Sequence, residues 1–487
     1  MKRLFILLVT LQLITSCNKE LAEHPYGQLP LDEGLNTIEG LQAAVIGAYQ
    51  PLKNGYTSGF GTASLNAVLM GADDITTHQA SNKQELREMD QFAVNSTNSR
   101  MNAIWLGCYQ SIRGANNIIE NYHLTAGDST TINQLVGEAH FLRAFSYFWL
   151  VRLWGHVPLI TTATYDPALL AVQKATPREV YDLIEGDLKK AETLMGNEIK
   201  PGRASAGTAK AILAEVYLTE GGYPLNDASK YALAAAKAKE VIDTKSVYGF
   251  DLVSDLAALW TGTQASNHTP EDVFALQFCI SCGNASALYG KSSMPDPEES
   301  GWSDYFAEIG FFNNFPEGKR KDITFHTVFK TSNGDLPWQN SITKHPYYNK
   351  FRVNEPTSGY ATSSTNLAVK LMRYAQVLLT YAEAEARATG TPSAVAYQAV
   401  NQVRNRAGLP DLTPGLSGAA FADSVAQERA WEFAGEYTRW FDLQRLELVE
   451  AANANKAADD LKPINTITKE RYWLPIPYND TQINPGL

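Results

Sequence analysis

Residues 209–243 read AKAILAEVYLTEGGYPLNDASKYALAAAKAKEVID, and residues 373–408 read RYAQVLLTYAEAEARATGTPSAVAYQAVNQVRNRAG. Each is an apolar stretch with three- and four-residue steps, a glycine break, and a second stretch of the same kind. Apolar residues so spaced fall on one face of a helix, so each stretch predicts a helix, a turn and a returning helix. Alanines stand where the two helices would touch, and a tyrosine closes the first helix of both pairs. Two such units, 35 and 36 residues long, match the ~34-residue period of tetratricopeptide repeats, in which stacked pairs bury one another's apolar faces.

The same periodicity predicts helices over residues 38–53, 101–122, 132–154, 178–195, 208–219, 228–242, 367–388, 393–406 and 419–449. Residues 137–155 with 177–195 form a third, more irregular pair. Starts and stops are local. Thr176-Pro177-Arg178-Glu179 puts proline in a first turn and an acid three residues after a capping threonine. Gly155, Gly221, Gly390 and Gly408 follow helix ends. The expected fold is therefore mainly α: tetratricopeptide-like pairs forming a superhelical scaffold over about 38–245 and 366–450.

Between those blocks, about 246–365, the pattern fails. Residues 289–360 hold 14 aromatic residues and 12 Gly or Pro, with little helical periodicity. This predicts a loop-rich insert with a few short strands, the kind of segment that carries binding function on a rigid scaffold. A C-terminal segment, 451–487, completes the single body expected over 31–487.

The N-terminus has a different chemistry. Lys2 and Arg3 precede LFILLVTLQLIT, which is too short for the ~20 apolar residues of a membrane span, and then Ser16 and Cys17. A basic start, a short apolar core and a small residue before the break describe a secretory signal over 1–16. Its end looks like a lipobox, with Cys17 carrying lipid and residues 17–30 forming a polar tether. The expected attachment to a membrane is by that lipid alone, because no later stretch is long and apolar enough to span.

Composition excludes other classes. The chain of 487 residues carries a formal net charge of −11, which becomes −13 once Lys2 and Arg3 are removed. An acidic chain without a basic block does not suit nucleic acid. Cys108 lies in an apolar helical pattern and reads as a small buried side chain. Cys279 and Cys282 form one CxxC, without the second pair a zinc ribbon needs; structural thiols and a local disulfide remain open. His140 and His156 lack metal-ligand spacing and read as core or rim residues. No metal or cofactor is expected.

Glu428, Glu432 and Glu436 recur at four-residue steps, which on one helix face would repel unless arginines sit among them. Arg373, Arg404, Arg406, Arg429, Arg439 and Arg445 are available, so a partly buried ion network is expected. Paired acids also suit a glycoside hydrolase, whose two carboxylates stand ~5 to 10 Å apart. Asp296, Glu298, Glu299 and Asp304 in the insert read as a solvated acidic loop.

Taken together, GEAHFLRAFSYFWLVRLWGHVPLI (137–160), RYAQVLLTYAEAEARA (373–388), VNQVRNRAGL (400–409), QERAWEFAGEYTRWFDLQR (427–445) and YWLPIPYNDTQINPGL (472–487), with Cys17 ahead of them, resemble the SusD/RagB family of outer-membrane nutrient-binding lipoproteins. The resemblance runs the length of the chain. It implies one α-rich body with a right-handed superhelix of tetratricopeptide-like pairs. It also implies a lid role over a SusC-like TonB-dependent outer-membrane transporter at the cell surface, with glycan or another nutrient captured and not cleaved. A lipid-anchored glycoside hydrolase and a tetratricopeptide-type interaction scaffold are the alternatives.

Sugars offer C–H faces ringed by hydroxyls, so their sites combine flat aromatic surfaces with amides and carboxylates. Two stretches have that mixture: Asp73, Asp74, His78, Gln79 and Asn82 in an N-terminal polar loop, and Trp302, Tyr305, Trp338, Tyr347, Tyr348 and Tyr360 in the insert. The resemblance places the ligand where such a loop meets the insert.

Overall fold

The computed structural model describes residues 34–53, 58–79, 81–164, 166–198, 200–282, 286–287, 290–353 and 364–487. Its frame is a stack of helices, each packed on the next in chain order: α1 (Ile38–Lys53), α2 (Ser99–Asn121), α3 (Ser129–Trp154), α4 (Pro177–Leu194), α5 (Ala206–Glu220) and α6 (Ser229–Asp243). The stack resumes with α7 (Tyr374–Thr389), α8 (Ala394–Arg406) and α9 (Gly418–Glu432). All three expected pairs form: α3 with α4, α5 with α6, and α7 with α8.

Helix starts follow the sequence signals. Thr176 and Glu179 make a reciprocal capping box around Pro177 at the head of α4. Asp128, Ser205, Ser393 and Ser417 each accept a first-turn N–H at the heads of α3, α5, α8 and α9. Gly390 ends α7 in the left-handed region at φ 74°. Along α3 nearly every side chain from Leu135 to Trp154 is buried, so this is the central helix, apolar on all sides rather than amphipathic. Two of its polar members share one partner: Asp187 of α4 accepts from Arg143 Nε at 2.7 Å and lies 2.7 Å from His140 Nδ1. His140 is thus a hydrogen-bonded core residue, and His156 is exposed.

Residues 244–373 leave the stack after α6 and return at α7, which packs directly on α6. The insert is pinned at its root by the antiparallel strands Asp272–Leu276 and Val369–Arg373. That second strand corrects the helix expected to begin at residue 367: three of its five residues, Val369, Leu371 and Met372, are apolar, but they pair with 272–276, and the helix starts at Tyr374. Within the insert, Phe306, Phe329 and Tyr347 form a small separate core with Trp338 against it. Cys279 and Cys282 are joined in a disulfide, and Cys108 is a buried free thiol.

The helix expected over 419–449 is also corrected. It breaks after Glu432 and restarts as α10 (Arg439–Arg445). Gly435 at φ 74° and Tyr437 at φ 73° turn the chain between them. Glu428 and Glu432 therefore share a helix, and Glu436 reaches the same region from the turn.

Candidate functional site

The N-terminal polar loop is sewn to the insert. Strand Ile75–Thr76 pairs antiparallel with Phe306–Ala307. Thr77 Oγ1 then donates to the Asp304 carbonyl at 2.6 Å, and Lys83 Nζ pairs with the Asp304 carboxylate at 2.5 Å, both side chains largely buried. Residue 304 thus grips both ends of the 77–83 loop, which leaves Gln79 and Asn82 exposed at its tip and His78 half-buried. Burial first, and then the charges of His345, Lys83 and Arg87, push the His78 pKa below its usual value, against a weaker opposite pull from Asp296. At neutral pH its ring is therefore mainly uncharged.

Trp302 lies two residues before the clamp and is half-buried. Its neighbour Ser303 sits in the left-handed region at φ 49°, and Ser303 Oγ accepts from Tyr347 Oη at 2.7 Å and from the Asp296 N–H at 2.8 Å. These bonds fix the turn that carries the indole. Trp302, two residues before Asp304, and His78, Gln79 and Asn82, between Thr77 and Lys83, thus all belong to segments fastened at Asp304.

Other candidates are placed differently. Tyr305, Tyr347 and Tyr348 have no exposed surface, which corrects the expectation that they stack on a ligand. Tyr305 packs on Phe351, Tyr347 on Phe306 and Phe329, and Tyr348 donates to the Asp74 carbonyl at 2.5 Å. Trp338 is half-buried, edge-on to Phe312. Asp73 is held by both Nε and Nη2 of Arg439, at 2.6 and 2.7 Å. Asp74 is buried; its carboxylate accepts the Gly435 N–H at 2.8 Å, and burial outweighs that bond to push its pKa up to about 6. Both aspartates therefore position the loop from beneath. Tyr360 and Cys17 lie outside the described residues.

Of the insert acids expected to form a solvated loop, Asp296 is exposed, but the other three are not. Glu299 pairs with His326 at 2.9 Å and Arg352 at 2.5 Å, and despite burial these partners hold its pKa down at about 2. Asp304 is the clamp to Lys83, and Glu298 Oε1 accepts the Ile342 N–H at 2.8 Å. Each is engaged as an acceptor, an arrangement unlike a proton-donating acid facing a base across a sugar.

A buried ion network joins the insert to the scaffold. Arg373 is fully buried and reaches Glu271, Glu432 (2.8 Å) and Glu436 (2.7 Å). Arg406 pairs with Glu432 at 2.6 Å and Arg404 with Glu428 at 2.8 Å. Besides Glu271 and Arg373 at its root, the insert supplies two more partners: Arg320 to Glu428 at 2.6 Å, and Lys350 to Glu436 at 2.5 Å. Burial opposes ionisation of Glu432, yet Arg406, Arg373 and Arg320 together hold its pKa well below the usual range. Arg429 and Arg445 build a second buried set on Asp442, with Glu215 and Glu383. Arg439 goes instead to Asp73. Sequence reasoning missed Lys83, Arg320 and Lys350, single basic residues in irregular segments with no local signal of a partner. Among the described residues there is no group of three or more metal-ligating side chains, and no helix long and apolar enough to cross a membrane.

Two family models match. One, described as the SusD family, covers residues 325–487; the other, described as starch-binding associating with outer membrane, covers residues 21–218. The chain is 29% identical to SusD-like protein P2 of Formosa agariphila across 100% of its own length and 99% of that protein's. It resembles a SusD superfamily protein of Parabacteroides distasonis at TM-score 0.78 and 27% identity, covering 92% of this chain and 98% of that one. It is also similar to a laminarin-binding SusD-like protein at TM-score 0.73 and 25% identity, with the same coverage of both chains.

Proposed function

The chain belongs to the SusD/RagB family, and from that premise we propose that it captures a glycan at the outer membrane and delivers it uncleaved to a SusC-like TonB-dependent transporter. The observation that carries this reading is the junction of the 77–83 loop with the insert. There Trp302 offers a stacking face, and the exposed amides of Gln79 and Asn82 offer hydrogen bonds for sugar hydroxyls. The similar laminarin-binding protein supports glycan as the ligand class.

Residues 1–16 act as the signal, lipid on Cys17 anchors the body through the tether 17–30, and the body faces the cell exterior. Capture without cleavage is supported by the engagement of Glu299 and Asp304 in ion pairs. Affinity electrophoresis through gels containing laminarin, starch, xylan or mannan tests the reading. Retardation by at least one polymer, with no new reducing ends after incubation, is expected. Mobility unchanged in all four, or release of reducing ends, overturns it. Labelled palmitate incorporation abolished by Cys17→Ala tests the anchor, and co-purification of a large barrel protein from detergent extracts tests the partner.

A further inference from the structure

A cavity of about 320 Å³ opens between the C-terminal segment and the short helix Gln84–Asp90 that follows the 77–83 loop. Met89, Phe92, Trp440 and Trp473 form its apolar walls, and the exposed Glu470 and Arg471 form its rim.

Three local features shape this space. Phe92 stands in the left-handed region at φ 54°, which a bulky side chain keeps only where its surroundings impose it. Here Arg471 Nη1 and Asn465 Nδ2 impose it, donating to the Phe92 carbonyl at 2.8 and 3.2 Å. Gly71 lies against the Trp440 ring so closely that a Cβ would come within 2.4 Å of it, so the indole occupies that wall only because the residue is glycine. Trp473 rests on Tyr223, rings 6.0 Å apart and 19° from parallel, and on Gly155.

We infer that this cavity is a second saccharide site, taking one or two pyranose rings of the same polymer. The volume lies at the low end of ligand clefts, and its aromatic walls with a few convergent polar groups match their usual lining. A purely apolar guest would strip water from Glu470 and Arg471 without replacing its hydrogen bonds. A pyranose instead lays C–H groups on the partly exposed Trp473 indole, donates hydroxyls to the carboxylate and accepts from the guanidinium. The inference rests on the glycan-binding reading above. The helix between the two sites has seven residues, about 10 Å at 1.5 Å per residue, so one strand of a few sugars spans both. Two linked contacts then strengthen polymer binding without altering either site.

The test compares wild type, Val94→Trp (which fills the cavity from its wall), Arg471→Ala and Trp302→Ala. Each is titrated calorimetrically with laminarin, starch, xylan and mannan and with their trisaccharides, after its thermal midpoint has been checked. Expected is a five- to tenfold loss of polymer affinity in Val94→Trp and Arg471→Ala, larger than their loss for the trisaccharide, whereas Trp302→Ala loses both. Wild-type polymer affinity in the two cavity variants overturns the second site and leaves the glycan-binding reading standing. Absence of binding by wild type to every polymer overturns both. Arg471 also holds the Phe92 carbonyl, so an unchanged thermal midpoint in Arg471→Ala assigns its loss of affinity to the missing guanidinium and not to a collapsed wall.

Discussion

The Asp74 carboxylate accepts the backbone N–H of Gly435 at 2.8 Å, joining residues 361 positions apart. This bond ties the polar loop to the turn that ends α9, and it does so at an electrostatic cost. Burial lifts the Asp74 pKa from 3.8 to about 6. An acid whose pKa is raised on folding contributes its full stability below the unfolded value, loses it as pH rises toward the folded value, and is flat above. Asp74→Asn keeps an oxygen acceptor for Gly435 and removes the charge. The variant should therefore gain on wild type between about pH 4 and pH 6, by up to roughly 3 kcal/mol at 1.36 kcal/mol per pKa unit. Urea unfolding of both proteins across that range checks this; a stability difference that does not vary with pH refutes it.

Gly435 itself should resist substitution. At φ 74° an added Cβ is strained, and it would meet the Tyr348 ring at 2.8 Å. Gly435→Ala should lower stability by about 1–3 kcal/mol and shift the insert through Tyr348, which is bonded to the Asp74 carbonyl. Chemical denaturation measures the first effect. Faster proteolysis between residues 77 and 83 would report the second.

The buried carboxylates make an acid limb of the opposite sign. Glu383 is held down at about 2 by Arg445 and Arg387 in spite of burial. Its stabilisation is complete above about pH 4.5 and disappears as pH falls toward 2. Glu383→Gln should be destabilised at neutral pH yet unfold over a shallower acid range than wild type, followed by circular dichroism.

Removing the hub of the network is expected to be severe. Arg373→Met leaves Glu271, Glu432 and Glu436 buried beside fewer cations, a change that costs about 3–5 kcal/mol. A urea midpoint close to that of wild type would show that water or rearranged cations serve equally well.

Exposed and buried rings should separate in binding assays. Trp302→Ala removes the stacking face at the junction and should weaken glycan binding about tenfold, near 1.4 kcal/mol. Tyr347→Phe deletes only the hydroxyl bonded to Ser303 and should change stability by about 1 kcal/mol with little effect on affinity.

The scaffold was legible because its information is local. Alanine spacing, Thr176 with Pro177, and Gly390 name helices and their ends within a few residues of chain. The junction was legible only as a region. Trp302 and Tyr305 look alike in an aromatic-rich segment, yet one is half-exposed and the other wholly buried, because long-range packing and not composition decides. Likewise Asp73 and Asp74 read as polar loop residues until Arg439 and Gly435 arrive from the far end of the chain. Glu436 kept its helical spacing on paper, but the positive φ of Gly435 turns the backbone before it.

The insert leaves and re-enters the stack between two touching helices, so exchanging it for another would look like a simple graft. It is not one, because Arg320 and Lys350 reach back from it to Glu428 and Glu436 in the scaffold. A chimera carrying a foreign insert must bring two cations to those places or neutralise both acids; otherwise the recipient inherits stranded charge in its interior.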